Sequence, residues 1–227
     1  MSGWVLQGPE VPSVSVDGSE ARFPVRRIYC VGQNYADHAR EMGSSGREKP
    51  MFFDKPADAV TTAGEIPYPP GTKNLHHEVE LVVALEKGGR DLSVEAAADC
   101  IFGYAVGVDL TRRDLQAEAK QAGKPWTAAK GFDHSAPVSP IRPAAAAGDV
   151  QSADITLAVN GLVRQQGNIA EMIWSVPEVI AELSRLFELK AGDLVFTGTP
   201  AGVGALEPGD VVGCRIDGVG TLAFTIV

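Results

Sequence analysis

The sequence His76-His77-Glu78-Val79-Glu80-Leu81-Val82-Val83-Ala84-Leu85 sets two carboxylates two residues apart at the head of an apolar run. In a strand, side chains at i and i+2 share a face about 7 Å apart, close enough for both to lean toward one ion. Glu80 enters a stretch where an unpaired carboxylate is costly. Asp109 ends a second apolar run, Ile101–Val108. Three carboxylates with no thiol nearby suit a hard cation, Mg2+ or Mn2+, completed by water and substrate oxygens. The same spacing also suits two acids on the solvent face of an edge strand, and spacing alone does not separate the two readings. Zinc is not expected, because His77-Glu78-Val79-Glu80-Leu81 is not H-E-x-x-H and His76 and His77 would point to opposite faces. A second candidate is the pair His38 and Glu41, three apart and so on one face of a short helix. A carboxylate beside an imidazole fixes its tautomer, which suits a general base; a solvated surface pair has the same spacing. Finally, Thr197-Gly198-Thr199-Pro200 forms a turn able to offer backbone N–H groups to a carboxylate.

The elements that must position these residues are mostly strands. Strands are expected at Val14–Val16, Arg26–Val31, Met51–Asp54, Glu78–Leu85, Gly103–Asp109, Ile155–Val159, Leu194–Thr197, Val211–Ile216 and Thr221–Val227. Asp17-Gly18, Asn160-Gly161 and Asp217-Gly218 are hairpin signals. Helices are expected at Tyr35–Met42, Val94–Cys100 after Ser93, Arg112–Ala122 with Thr111 and Asp114 at capping-box spacing, and Val176–Phe187 with Ser175, Pro177 and Glu178 at its start. Strands and helices do not alternate, and no G-x-G-x-x-G or Walker sequence occurs, so a doubly wound nucleotide-binding sheet is not expected. The fold class is α+β, strand-dominated. Residues 1–24 read as a short N-terminal extension and 25–227 as the main domain.

The 227 residues carry 20 basic and 29 acidic side chains, a net charge of −9. That excess argues against nucleic acid or anionic lipid as a partner, since both are held by basic patches. No apolar stretch reaches the roughly 18 residues that a membrane span needs. Met1–Glu10 lacks the features of a secretory leader. Cys30, Cys100 and Cys214 are scattered and odd in number, the pattern of buried thiols in a reducing compartment. A cytoplasmic protein is expected.

The ordered set Tyr29-Cys30-Val31-Gly32, Asn34-Tyr35-Ala36-Asp37-His38, Phe53-Asp54-Lys55-Pro56, Asn74–Leu81, Asp109-Leu110-Thr111, Arg113-Asp114-Leu115-Gln116, Pro125–Lys130 and Thr197-Gly198-Thr199-Pro200 resembles the fumarylacetoacetate hydrolase family. It covers nearly the whole chain and looks closest to the short acylpyruvate and fumarylpyruvate hydrolases, with the run Lys49–Val60 nearest the fumarylpyruvate enzymes of gentisate breakdown. The resemblance implies a mixed β-sandwich roll with flanking helices, usually a homodimer. It implies that Glu78, Glu80 and Asp109 hold Mg2+ or Mn2+, and that His38 and Glu41 activate water on a segment that closes over substrate. Lys130 would sit beside the reacting carbonyl, with Lys55, Arg113, Gln116 and Thr199 facing substrate. Gln33 departs from the arginine often found at its place. The implied reaction cleaves the C–C bond of a small anionic 1,3-diketo acid, in aromatic-compound catabolism, giving pyruvate and a second acid such as fumarate. Oxaloacetate or 2-oxo acid decarboxylation, an isomerase on the same fold, or a non-catalytic metal-binding scaffold are the alternatives.

Overall fold

The computed structural model describes residues 5, 6, 8, 10–35 and 48–227. Its centre is a six-stranded mixed sheet in the order Arg142–Pro143, Ile101–Val108, Val79–Leu85, Asp193–Phe196, Arg27–Gly32, Met51–Lys55. Only the contact between Asp193–Phe196 and Arg27–Gly32 is parallel. A five-stranded sheet, in the order Leu162–Asn168, Asp154–Val159, Val211–Ile216, Gly220–Ile226, Glu65–Ile66, packs against one face. Strands Thr111–Arg112, Leu75–His77 and Gly204–Leu206 form a small third sheet. The chain is thus α+β and strand-rich, as expected.

All seven residues of Val79–Leu85 are buried, because both faces of the strand are covered. That double cover explains why the run is apolar throughout instead of alternating. Leu81 and Val83 face the five-stranded sheet through Leu157 and Val212. Val82 and Ala84 face the other way, into a second cluster with Ile28, Cys30 and Phe196. Residues Ser13–Ser15 and Arg22–Pro24, within the expected extension, pair as a hairpin whose Val14 and Phe23 join that second cluster. Each such side chain fully buried contributes about 1.5–3 kcal/mol.

The three turn dipeptides each fall between paired strands. The Val176–Leu186 helix starts as expected: the Ser175 N–H donates to the Glu178 carboxylate at 2.9 Å, and Pro177 lies in the first turn. Its Val176, Val179, Ile180 and Leu183 are buried at helical spacing. The expected cap at Thr111 is corrected. That residue pairs with His76 in the small sheet, and the helix spans Arg113–Gln121 with no side-chain cap. Asp114 instead accepts from Thr72 Oγ1 at 2.6 Å and the Lys73 N–H at 3.0 Å. Of the helix expected at Tyr35–Met42, all but Tyr35 lies outside the described residues; Tyr35 forms a β-bridge with Met172. The three cysteines are buried and unpaired. No helix among the described residues is long and apolar enough to cross a membrane.

Gly107 lies opposite Glu80 in the strand register, and a Cβ there would meet Val82 Cγ2 at 2.5 Å and Phe196 Cε1 at 2.8 Å. Gly213, in another strand, would meet nothing within 4 Å. Gly107→Ala is therefore expected to lower stability by about 1–3 kcal/mol in urea unfolding, while Gly213→Ala stays within about 0.5 kcal/mol. Equal costs at the two positions would contradict this packing.

Candidate active site

Antiparallel pairing brings the three acids together. Val79 sits opposite Val108 and Glu80 opposite Gly107, and the Asp109 N–H donates to the Glu78 carbonyl at 2.8 Å. Glu78 occupies the junction between strands Leu75–His77 and Val79–Leu85, while Asp109 caps Ile101–Val108. One ligand atom from each of Glu78, Glu80 and Asp109 lies within 4.8 Å of the others, and all three residues are buried. They are not on a solvent face.

Cations compensate them. Lys130 Nζ donates to Glu78 Oε2 at 2.9 Å, Asp109 Oδ2 at 2.6 Å and Thr111 Oγ1 at 2.7 Å, which uses all three of its protons. Arg113 pairs with Glu78 and donates to the Gln116 carbonyl oxygen, while its Nε meets His76 Nδ1 at 3.3 Å. Lys55 Nζ lies 2.8 Å from Asp109 Oδ1 with neither side chain exposed, and donates to the carbonyls of Leu110 and Lys130.

The electrostatics follow from this crowding. Burial alone would lower the Lys130 ammonium, but the carboxylates of Asp109 and Glu78 outweigh it and hold the group above the ordinary lysine value. Burial, then Asp109 and Glu78, push Glu80 well up, against the pull of the Gly198 N–H and Lys130. Burial and then Arg113 lower His76 to about 4, so it is neutral; it accepts from Arg113 through Nδ1 and donates through Nε2 to Asn74 Oδ1 at 2.9 Å.

The residues fit a divalent ion. The donor set is all oxygen, as hard cations require. Asp109 Oδ1 is buried yet accepts no aligned hydrogen bond, despite the nearby lysine. Together with the raised Glu80, this leaves oxygen lone pairs that the protein itself does not satisfy.

These groups open onto a cleft where Glu78, Glu80, Arg113, Gln116, Lys130 and Thr199 form the polar side. Val31, Met51, Phe53 and Trp126 form much of the rest, with Gln33 beside them. Trp126 meets Phe53 edge-on at 5.9 Å and is wall, not deep core. With Arg113 on its oxygen, the Gln116 amide has an NH2 that no hydrogen bond engages among the described residues. Two expectations need restating. Lys55, expected to face substrate, does not line this cleft; it lies behind Asp109, where a buried ammonium must stay with its carboxylate. The Thr197–Pro200 turn, expected to offer N–H groups to a ligand carboxylate, turns the Gly198 N–H onto Glu80 Oε2 at 2.7 Å. Gly198 has φ 97° and a Cβ there would lie 2.7 Å from Asn34 Cβ, so only glycine fits. His38 and Glu41 lie outside the described residues.

Gln165 was not singled out from sequence. It is buried in strand Leu162–Asn168 of the other sheet; its Nε2 donates to Thr199 Oγ1 at 2.7 Å and the Pro200 carbonyl at 2.9 Å. Its Oε1 accepts from the Val79 N–H at 3.1 Å and lies 2.8 Å from His77 Nδ1, which therefore carries the proton. One amide thus ties the residues on either side of Glu78 to the Thr199 turn. A glutamine among polar neighbours in Leu162–Asn168 carries no pattern that announces this.

Residues 27–227 match the model of the fumarylacetoacetate (FAA) hydrolase C-terminal family. The chain belongs to the fumarylacetoacetate hydrolase family. It is similar to the fumarylpyruvate hydrolase of Pseudomonas aeruginosa, solved in complex with Mn2+ and pyruvate, with 52% identity, a TM-score of 0.95 and 98% of each chain covered. It is 45% identical over 203 residues to the oxaloacetate tautomerase YcgM of Escherichia coli, covering 88% of this chain and 93% of that one. It is 40% identical over 205 residues to the mitochondrial oxaloacetate decarboxylase of Dictyostelium discoideum, covering 89% and 94%. This member of the family is thus an enzyme, and the buried acidic triad supports a divalent-metal site.

Removing one triad oxygen should damage ion binding more than removing a supporting residue. Outer-layer changes around metals typically cost about 10–100-fold in affinity, the loss expected for Gln165→Leu; Glu80→Ala should exceed it. Calorimetric Mn2+ titration of chelator-treated protein reads both. An unchanged Mn2+ affinity in Glu80→Ala would remove Glu80 from the site.

Proposed function

We propose that this enzyme hydrolyses the C–C bond of an acylpyruvate, fumarylpyruvate above all, with Mg2+ or Mn2+ held by Glu78, Glu80 and Asp109. What carries the proposal is the likeness, at 52% identity and across 98% of both chains, to a fumarylpyruvate hydrolase crystallised with Mn2+ and pyruvate. The charge balance supports it. Lys55, Lys130 and Arg113 equal the three carboxylates in number, although they pair with Glu78 and Asp109 and leave Glu80 without a cation of its own, so a divalent ion leaves the centre with two positive charges, suited to a dianionic diketo acid. When bound, the ion supplies Lewis-acid polarisation of substrate oxygens.

The chain's own residues do the rest. His38, oriented by Glu41, takes a proton from water, whose oxygen adds to the distal carbonyl carbon. The bond from that carbon to the methylene then breaks, and the methylene carbon of the departing pyruvate takes up a proton. The Gln116 NH2 donates to the developing oxyanion, and the Lys130 ammonium, its protons already given to Glu78, Asp109 and Thr111, acts there through its charge. Arg113 holds Glu78 and Gln116 in place, Thr199 meets the substrate head, and Lys55 fixes Asp109. The proposal includes a homodimer in the cytoplasm, serving aromatic-compound catabolism, with no nucleic-acid or membrane partner; the excess of acidic side chains supports the absence of nucleic acid.

The 45% and 40% identical relatives that act on oxaloacetate favour a second reading, tautomerisation or decarboxylation of that acid. The two separate at the base. Hydrolysis needs a deprotonated water, and losing a general base costs about 10²–10⁴-fold; decarboxylation needs no attacking water. His38→Ala is expected to lose acylpyruvate hydrolysis far more than any oxaloacetate decarboxylation, and Glu80→Ala to lose both. Purified protein with Mg2+, offered acylpyruvates and oxaloacetate in parallel with products identified, reads the outcome. Turnover of oxaloacetate alone would replace the hydrolase proposal with the second reading.

A further inference from the structure

The cleft above the carboxylates has a neighbour beyond its apolar wall. A second chamber shares Gly32, Gln33 and Met51 with it and continues outward to Glu48, Lys49 and Trp174. Gln33 stands at the junction with φ 59°, a backbone conformation that costs a non-glycine residue about 1 kcal/mol or more and tends to persist where the surroundings or a ligand require it. The cations of the inner chamber, Lys130 and Arg113, are committed to the carboxylates. Among the described residues lining the outer chamber, Lys49 is the one cation, and no hydrogen bond or ion pair engages its ammonium. Trp174 is fixed there by its indole N–H, which donates to the Glu48 carbonyl at 3.1 Å.

The sequence along this path is a cationic head site, a short apolar passage of Met51, Phe53 and Trp126 with one neutral amide, then a free ammonium. It matches a ligand with an anionic 2-oxo acid head, a short unsaturated or apolar middle and a terminal carboxylate. We infer that the outer chamber is the subsite for the distal carboxylate of a dicarboxylic substrate, with Lys49 as its counter-charge and Gln33 as the amide donor at the passage. This rests on the acylpyruvase reading for the head group and adds to it where the second carboxylate of such a substrate sits and which side chain meets it. Lys49 is exposed, so its contribution is that of a solvent-accessible pair, modest and weakened by salt.

The test uses the Mn2+-loaded full chain and Lys49→Met, which keeps an unbranched stem and removes the charge. Hydrolysis is measured with fumarylpyruvate and with acetylpyruvate, which has the same head and a methyl group for a tail. Binding is measured by calorimetry with 2-oxoheptanedioate and 2-oxoheptanoate, neither of which can be cleaved as a 1,3-diketone. The expected result is a roughly 2–5-fold fall in the preference for the dicarboxylic member of each pair, carried by KM and Kd and diminished at 1 M salt. An unchanged preference in the binding pair overturns the subsite, whatever the enzyme's reaction. If wild type hydrolyses neither acylpyruvate, the hydrolase reading fails, and the binding pair still decides the role of Lys49.

Discussion

Three buried carboxylates with ligand atoms within 4.8 Å of one another repel strongly. At an effective dielectric of 20, two unit charges 4 Å apart interact by about 4 kcal/mol. The fold answers with Lys55, Lys130 and Arg113, one from a strand, one from the end of a short helix and one from the start of a longer one. Removing any one of these cations would leave the buried cluster with one carboxylate more than it has cations, a change far costlier than the pair itself is worth. The same arrangement leaves Glu80 pushed up and without a cation of its own, and Asp109 Oδ1 without an aligned donor, so carboxylate oxygens remain that a divalent ion can take.

Holding that cluster in register is the task of polar side chains that bridge the sheets. Gln165 reaches from the five-stranded sheet to His77, Val79, Thr199 and Pro200. Asn34 donates to the carbonyls of Thr197 at 2.8 Å and Trp174 at 3.0 Å and accepts from the Trp174 N–H at 2.8 Å. Between them they set the turn whose Gly198 N–H meets Glu80. Buried amides that use their donors and acceptors in this way rigidify a site, because every alternative geometry strands a polar group.

What the sequence made legible was what local pattern encodes. The apolar runs Val79–Leu85 and Ile101–Val108, the turn dipeptides and the Ser175–Glu178 helix start all carry local signals, and each appears in place. Leu75–His77 and Gly204–Leu206 are too short to show a period, and Leu162–Asn168 is polar over most of its length; all three exist through their sheet partners. Thr111 had the spacing of a helix cap but was taken by Lys130, a contact that only the tertiary fold creates. The i, i+2 spacing of Glu78 and Glu80 and the place of Asp109 at a strand end were local facts, but spacing alone left a solvent-face pair equally open, and the family resemblance chose between them. Which cation serves which carboxylate was not readable, since Lys55 and Lys130 lie far along the chain from the acids that hold them.

The central claim is that the charge-balanced triad is the divalent-ion site of this enzyme. Crystals grown from chelator-treated protein and soaked in Mn2+ test it through the manganese anomalous signal. The account predicts one strong peak at coordination distance from a carboxylate oxygen of each of Glu78, Glu80 and Asp109. A peak elsewhere, or none at saturating Mn2+, would contradict it.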